Sequence, residues 1–361
     1  MKMRKIVCSF MISVVCFMTA ISGVSATSYD TSKINAVYSK VVEYYKNNNN
    51  LNNADKILAV ESLGLEAESN QFDTSSADLS STSLSKKIVT EVLLGVDPTE
   101  DKKTLESQID ENGNVEGSWG ASSDVWTLYA LYVTSSEKTN LIANKLNDEL
   151  AASSVCGYEW GGTYYADYDT TGWVIEGLAV VNKEKYATTI NKAIDYIKNN
   201  TTMTTTGWVT ADNVDTQSQV LEGMFAYDTN ALLNDSYTVH PVDCLLNTQL
   251  SDGSFPSGYN AEYTTAEVAK TLGTYKNGSV IIKAKKAYDK MMNPEQPDNT
   301  KPAQPTDTKK DSQSTNKVET TNQKTTSVKT GDETNVVIFV SLSMVSGGLF
   351  LVLRKEYERV H

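Results

Sequence analysis

From residue 32 to residue 291 the apolar positions recur every three or four residues, the spacing of helix faces, rather than every second residue as in half-buried strands. In 32–45 they are Ile34, Val37, Tyr38, Val41, Val42 and Tyr45, and the asparagines at 47–50 end that helix. A second helix covers 55–65 through Ile57, Leu58, Val60 and Leu63, and a third covers 82–94, closing at Gly95 with Pro98 beyond. Helices at 102–109, 122–132 and 137–150 follow, the last with Leu141, Ile142, Leu146 and Leu150 on one side. The pattern continues at 169–181, at 186–198 with Tyr186, Ile190, Ala193, Ile194 and Ile197, and then at 215–226, 241–249, 264–275 and 279–291. No stretch alternates strongly enough to require a strand. The reading is all-α, with about twelve helices.

Several of these helices repeat one pattern. Asp169-Thr170-Thr171-Gly172-Trp173-Val174-Ile175-Glu176-Gly177-Leu178 matches Asp215-Thr216-Gln217-Ser218-Gln219-Val220-Leu221-Glu222-Gly223-Met224 almost position for position. Weaker copies run over 263–272 and 122–131. Their last residues, at 131, 178, 224 and 272, stand 47, 46 and 48 apart. A period of that length marks a repeat architecture that stacks into an open solenoid or closes into a ring.

The connecting turns carry a family resemblance. Gln108-Ile109-Asp110-Glu111-Asn112-Gly113 leads to Gly117-Ser118-Trp119, and Gln249-Leu250-Ser251-Asp252-Gly253-Ser254-Phe255 has the same character in less space. A Gln at a helix end, an Asp/Asn-Gly turn and an aromatic before the next helix resemble the Q-W turn of the prenyltransferase and squalene-cyclase repeat. The resemblance covers roughly 100–280. The turns at Cys156-Gly157-Tyr158-Glu159-Trp160 and Thr206-Gly207-Trp208 lack the Gln. It implies a closed α/α toroid of six inner and outer helix pairs, in which the Gln ties helix ends, the Gly takes positive φ and the aromatic plugs the joint.

Within that fold the inner-helix N-termini and their turns would gather Trp119, Trp160, Tyr164, Tyr165, Tyr168, Trp208, Tyr259 and Tyr263 at one end of a central cavity. Such a rim serves either as a ligand mouth or as structural plugs. The ligand-binding candidates are Trp119, Trp160, Tyr164, Tyr165, Trp208 and Tyr263. Asp167-Tyr168-Asp169-Thr170-Thr171 compares with the D-x-D-D-T acid motif of squalene-hopene-type cyclases, with Thr170 in place of the third carboxylate. Asp167, Asp169 and Asp215 are the weak catalytic candidates. Asp169 and Asp215 also stand where a helix N-cap belongs, which accounts for them without catalysis. Glycan cleavage would draw on Asp169, Asp215 and Glu159, with two carboxyl groups facing across a cleft. The zinc ligands of protein prenyltransferases have no counterpart here, and the small β domain that follows the ring in cobalamin carriers is absent.

The ends carry targeting signals. Residues 1–26 combine Lys2, Arg4 and Lys5, an apolar run and Val24-Ser25-Ala26, a secretory signal peptide with cleavage after Ala26. The domain proper is 27–292. Residues 293–327, rich in Thr, Lys, Gln, Asn and Pro, read as a disordered wall spacer. In 328–361 an uncharged transmembrane span at 336–353 precedes Arg354 and Lys355. With Thr330-Gly331 ahead of it, this end resembles the sorting signal of Gram-positive wall proteins. Sortase would then join Thr330 to peptidoglycan, although Ser327-Val328 replaces the usual Leu-Pro pair. A permanent single-span membrane protein is the alternative. Either way the domain stands at the cell surface.

Charge narrows the partners. A formal net charge of −13 argues against nucleic acid, which needs a basic face. Cys156 and Cys244 are the cysteines left in the mature chain, too few for a disulfide scaffold, and their pairing is open. His240 stands before Pro241 at a helix start, a turn position rather than a catalytic one. No cofactor is specified. The reading favours a surface ligand-binding or adhesion module for a glycan, a corrinoid or a host protein. A terpene-cyclase-like or glycan-cleaving enzyme and a purely structural surface protein stand as alternatives.

Overall fold

The computed structural model describes residues 29–68, 72, 80–160, 163–208 and 213–294, with the side chains of 158–160 and 164 left out. The expected signal peptide, the expected spacer beyond residue 294, the expected span at 336–353 and Thr330-Gly331 lie outside the described residues. Those residues form an all-α structure with eleven helices and one short hairpin. In chain order these are α1 (Ser32–Asn47), α2 (Ala54–Ser62), α3 (Ser81–Leu93), α4 (Thr99–Ser107), α5 (Ala121–Val133) and α6 (Thr139–Ser153). Then come β1 (Gly157–Trp160), β2 (Thr163–Ala166), α7 (Tyr168–Asn200), α8 (Val214–Asn234), α9 (Pro241–Asn247), α10 (Ala261–Asn277) and α11 (Val280–Met292).

All twelve helical segments expected from the periodicity fall on these elements, and the boundaries differ for physical reasons. The segments at 169–181 and 186–198 are one continuous element, broken at Asn182, where φ is −164° and ψ 90°. Asn182 Oδ1 accepts the backbone N–H of Lys185 and so starts the second half. α8 breaks in the same way at Asp228, whose Oδ1 accepts from the Ala231 N–H. The strandless reading is corrected by the hairpin, in which Tyr158 pairs with Tyr165 and Trp160 with Thr163 in antiparallel register. Aromatic β-formers on both sides of a Gly-Gly pair favour it, but four residues a side are too few for alternation to register.

The repeat helices lie against one another. α5 packs on α7, α7 on α8, α8 on α10, α10 on α2, α2 on α3, and α3 on α5. They run parallel. Thr271 Oγ1 donates to the Ser218 carbonyl at 2.8 Å, and one turn further on Thr274 Oγ1 donates to Glu222 Oε1 at 3.3 Å. Their N-termini therefore share one end. The repeat's glycines permit the approach. A Cβ on Gly172 would sit 2.4 Å from the Gln219 carbonyl oxygen, one on Gly223 2.3 Å from the Gly172 oxygen, and one on Gly273 2.5 Å from the Ser62 oxygen. α11, the last helix, packs on α3 and α5 as well as on its chain neighbour α10.

The turns do part of what the resemblance implied. Gln249 Nε2 donates to the Val37 and Gly253 carbonyls, both at 3.1 Å, so one amide joins a helix end, its own turn and α1. Gly253 takes φ 95°, and Phe255 is fully buried as the plug. In the first turn the plug is Val115, bridged to Ile109, whereas Trp119 is 73% exposed. A second latch repeats that the sequence did not announce. The N–H of Trp119, Cys156 and Phe255 donates to the hydroxyl of Ser123, Thr171 and Thr265 on the helix that follows, at 3.1, 2.9 and 3.0 Å.

Candidate functional site

The axis between the repeat helices is occupied by side chains. Trp126 lies there, with Lys86 Nζ 4.6 Å and Lys270 Nζ 5.5 Å from its ring centre, and with Tyr129 and Trp173 edge-on at 5.3 and 5.9 Å. Lys270 Nζ stands 3.0 Å from Glu267 Oε2 and 3.9 Å from Glu222 Oε2. Glu176 accepts from the Tyr129 hydroxyl at 2.9 Å and from Ser279 Oγ, just ahead of α11, at 2.6 Å. Burial raises the pKa of Glu222 well above its ordinary value and also raises that of Glu176. Burial opposes the charge on Lys270, but the surrounding carboxylates outweigh it and keep the ammonium protonated. A recess of about 210 Å3 lies between α2, the end of α10 and α11, with Ser279 in its lining.

At the N-terminal end of the repeat helices the candidate acids meet aromatic rings. Asp167 is the N-cap of α7, and its Oδ1 accepts the Thr170 N–H at 3.1 Å. Asp169 and Asp215 are therefore not caps. Each stands in the first turn of its helix, and α8 begins after Asn213 with no side-chain cap bond. Removing the real cap, Asp167→Ala, is expected to cost about 1 kcal/mol in chemical denaturation, with no comparable loss on replacing Asp169.

Freed from capping, the two acids have other partners. Asp215 is buried and accepts from the Tyr259 hydroxyl. Asp169 is half-buried. Desolvation, followed by the charges of Asp167, Asp215 and Glu267, pushes it up to about 7, against a hydrogen bond from Thr216. Tyr259 and Tyr263 stand 6.1 Å apart, and Tyr168 and Trp208 meet edge-on at 5.0 Å. Trp208 holds φ 56°, a left-handed conformation that bulky residues rarely adopt. Of the ligand-binding candidates, Trp119 and Tyr165 are exposed, while Trp208 and Tyr263 are half-buried. Trp160 and Tyr164 sit on the hairpin strands, with side chains outside the described part. The residues that sequence reasoning passed over are Tyr129, Gln219, Glu222, Glu267 and Lys270.

Among the described residues Cys156 and Cys244 are both free, and no His, Cys, Asp and Glu group of three has metal-binding geometry. His240 takes the turn position expected of it. Its Nδ1 accepts the Val242 N–H as the N-cap of α9, and its ring packs against Tyr29 and Tyr237 at 4.3 and 4.9 Å. No helix of the described residues is long and apolar enough to cross a membrane.

The raised acids set a pH dependence. Asp169 and Glu91 are both pushed up to about 7 by burial and neighbouring carboxylates, and Glu176, Glu222 and Glu149 are raised as well. An acid whose folded pKa lies above its unfolded value binds more protons when folded. Its stabilising contribution is full below about pH 4 and is lost as pH rises through the folded pKa. The lowered carboxyls, such as Asp110 and Asp252, act only below their ordinary range. The thermal midpoint is therefore expected to be higher at pH 5 than at pH 7.5.

No family model matches the chain, and comparison with curated proteins and with solved structures yields no match either.

Proposed function

We propose that this chain is a secreted, wall-anchored α/α toroid that recognises a glycan through the aromatic and acidic end of its repeat helices, without catalysis. The cyclic packing order α2, α3, α5, α7, α8, α10 and back to α2 supports the closed ring. The observation that carries the recognition reading is where polar and aromatic chemistry remains accessible. The axis is filled, while Trp119, Tyr165 and Tyr259 are exposed at the end that also holds Asp169. Flat, partly exposed rings beside carboxylates suit sugar faces and hydroxyls. A corrinoid would need an open central cavity, and the filled axis weighs against it.

Two experiments test this reading. The purified protein on a glycan array should give signals that Trp119→Ala and Tyr259→Ala abolish, while Trp119→Ala leaves stability within about 0.5 kcal/mol because the ring is exposed. Signals insensitive to both variants, or none at all, would refute the surface. For the anchor, Thr330→Ala should move the protein from the wall fraction to the membrane or medium. Unchanged wall linkage would refute sortase attachment to peptidoglycan at Thr330.

A second reading, glycan cleavage, draws on one observation, the half-buried Asp169 poised near neutrality beside Asp215. It requires product release from a bound glycan, lost in Asp169→Asn with the fold intact. A terpene-cyclase-like reaction would need room for its substrate along the axis, where Trp126, Lys270 and the three glutamates stand.

A further inference from the structure

Among the described residues no lysine forms an ion pair with Asp167, Asp169 or Asp215, and Lys270 is engaged with Glu267 and Glu222. The charges acting on Asp169 are those of Asp167, Asp215 and Glu267, and the same acids act on Tyr259. Beneath them the floor offers acceptors that nothing fills. Glu267 is fully buried, and its Oε1 has no hydrogen-bond partner, although Oε2 is shared by Lys270 and Gln219 Nε2. Gln219 Nε2 also reaches the Tyr263 hydroxyl at 3.3 Å, which places this floor beside the tyrosine pair, and the buried Gln219 Oε1 is unpartnered too. Tyr259 donates to Asp215 and lies 6.1 Å from Tyr263, and Tyr168, next to Asp167 and Asp169 in the chain, meets Trp208 edge-on.

What would complete such a site is a group that brings N–H donors, a positive charge and a carbon skeleton to lie on the rings. A neutral sugar supplies the skeleton but leaves the carboxylates uncompensated. A hard metal ion supplies charge, but the described residues hold no three-ligand group for it and the rings would be wasted. We propose that the glycan bound here carries a free amine, so that an amino-sugar ammonium sits at Asp169 among the carboxylates and its ring lies against Tyr259 or Trp208. This rests on the recognition reading above and names its ligand class. Cation–π attraction from the rings and charge-assisted hydrogen bonds to Asp169 act on the same group. Binding favours the ionised form of Asp169 and the protonated form of the amine, so a proton given up by Asp169 is taken by the amine and affinity is greatest near neutral pH.

The test is titration calorimetry of the purified full chain with glucosamine oligomers, whose nitrogens are free amines, and with N-acetylglucosamine oligomers of equal length, whose nitrogens are uncharged acetamides. The glucosamine oligomer should bind, the acetylated one about tenfold more weakly or not at all, and Asp169→Asn should weaken the first by about tenfold. Asp169→Asn keeps the shape and removes a carboxylate already crowded by others, so it should fold. Affinity for the glucosamine oligomer should fall toward about pH 5, where Asp169 is protonated, and toward about pH 9, where the amine is uncharged. Equal or tighter binding of the acetylated oligomer overturns the ammonium assignment while leaving glycan recognition standing. Unaltered affinity in Asp169→Asn overturns the placement. If neither oligomer binds, the assignment fails, and the Trp119→Ala and Tyr259→Ala array results decide separately whether the surface recognises glycans at all.

Discussion

Gly223→Ala is expected to destabilise the protein by about 3 kcal/mol, although the same change in an ordinary helix interior stabilises by roughly 0.5–1 kcal/mol. The sign reverses because of what lies opposite. The added methyl would stand 2.3 Å from the Gly172 carbonyl oxygen and 3.2 Å from the Ile175 side chain, and a backbone oxygen inside a parallel helix cannot swing aside. Gly172→Ala meets the Gln219 carbonyl at 2.4 Å from the other side of the same contact and should cost a similar amount. Because the two changes strain one interface, their combination should fall short of additivity. Gly95→Ala is the contrast. It has φ 73° and no atom within 4 Å of the new carbon, so only the left-handed backbone is strained, at about 1–2 kcal/mol. Urea denaturation of the three variants ranks them directly. A stabilised Gly223→Ala would mean that α7 and α8 do not approach this closely.

These glycines mark where sequence and structure part company. The helices were legible because each outward face is polar, and the 46-to-48-residue period was legible because the repeat helices do the same job in each copy. The Glu-Gly pairs at Glu176-Gly177 and Glu222-Gly223, with Lys270 in the matching place, were in view from the start. They read as ordinary polar positions because an amphipathic pattern assumes one buried side. In α8 and α10 residues are buried on several sides, Glu222 and Glu267 included, so the polar residue that would mark the solvent face instead marks the axis. Trp119 departs from the plug role that the turn resemblance implied. A large aromatic in a turn suggests a plug, but the smaller Val115 fills the joint and leaves the indole outside. Asp169 and Asp215 were displaced from the capping position by about two residues, a shift that propensity does not resolve but that frees their carboxyls for side-chain partners instead of backbone N–H groups.

Lys270→Met is expected to cost about 3–5 kcal/mol at pH 7.5, because it leaves Glu267 and Glu222 buried without their shared cation. The methionine keeps the length of the side chain, so the loss reports charge rather than a cavity. Its pH dependence is the sharper signature. Without the ammonium, which holds the pKa of Glu222 down, that pKa rises further, so the penalty is greatest at high pH and shrinks as pH falls toward 5. Glu222→Gln should behave differently. Burial already shifts Glu222 toward its protonated form, so a neutral amide of the same shape should cost far less than Lys270→Met. Combining Lys270→Met with Glu267→Gln should recover part of the single-variant loss, since the pair is then removed together rather than broken. Chemical denaturation of these variants at pH 5 and pH 7.5 measures all three effects. A Lys270→Met penalty equal at both pH values would mean that the lysine acts through packing against Trp126, 5.5 Å from its ammonium, and not through charge.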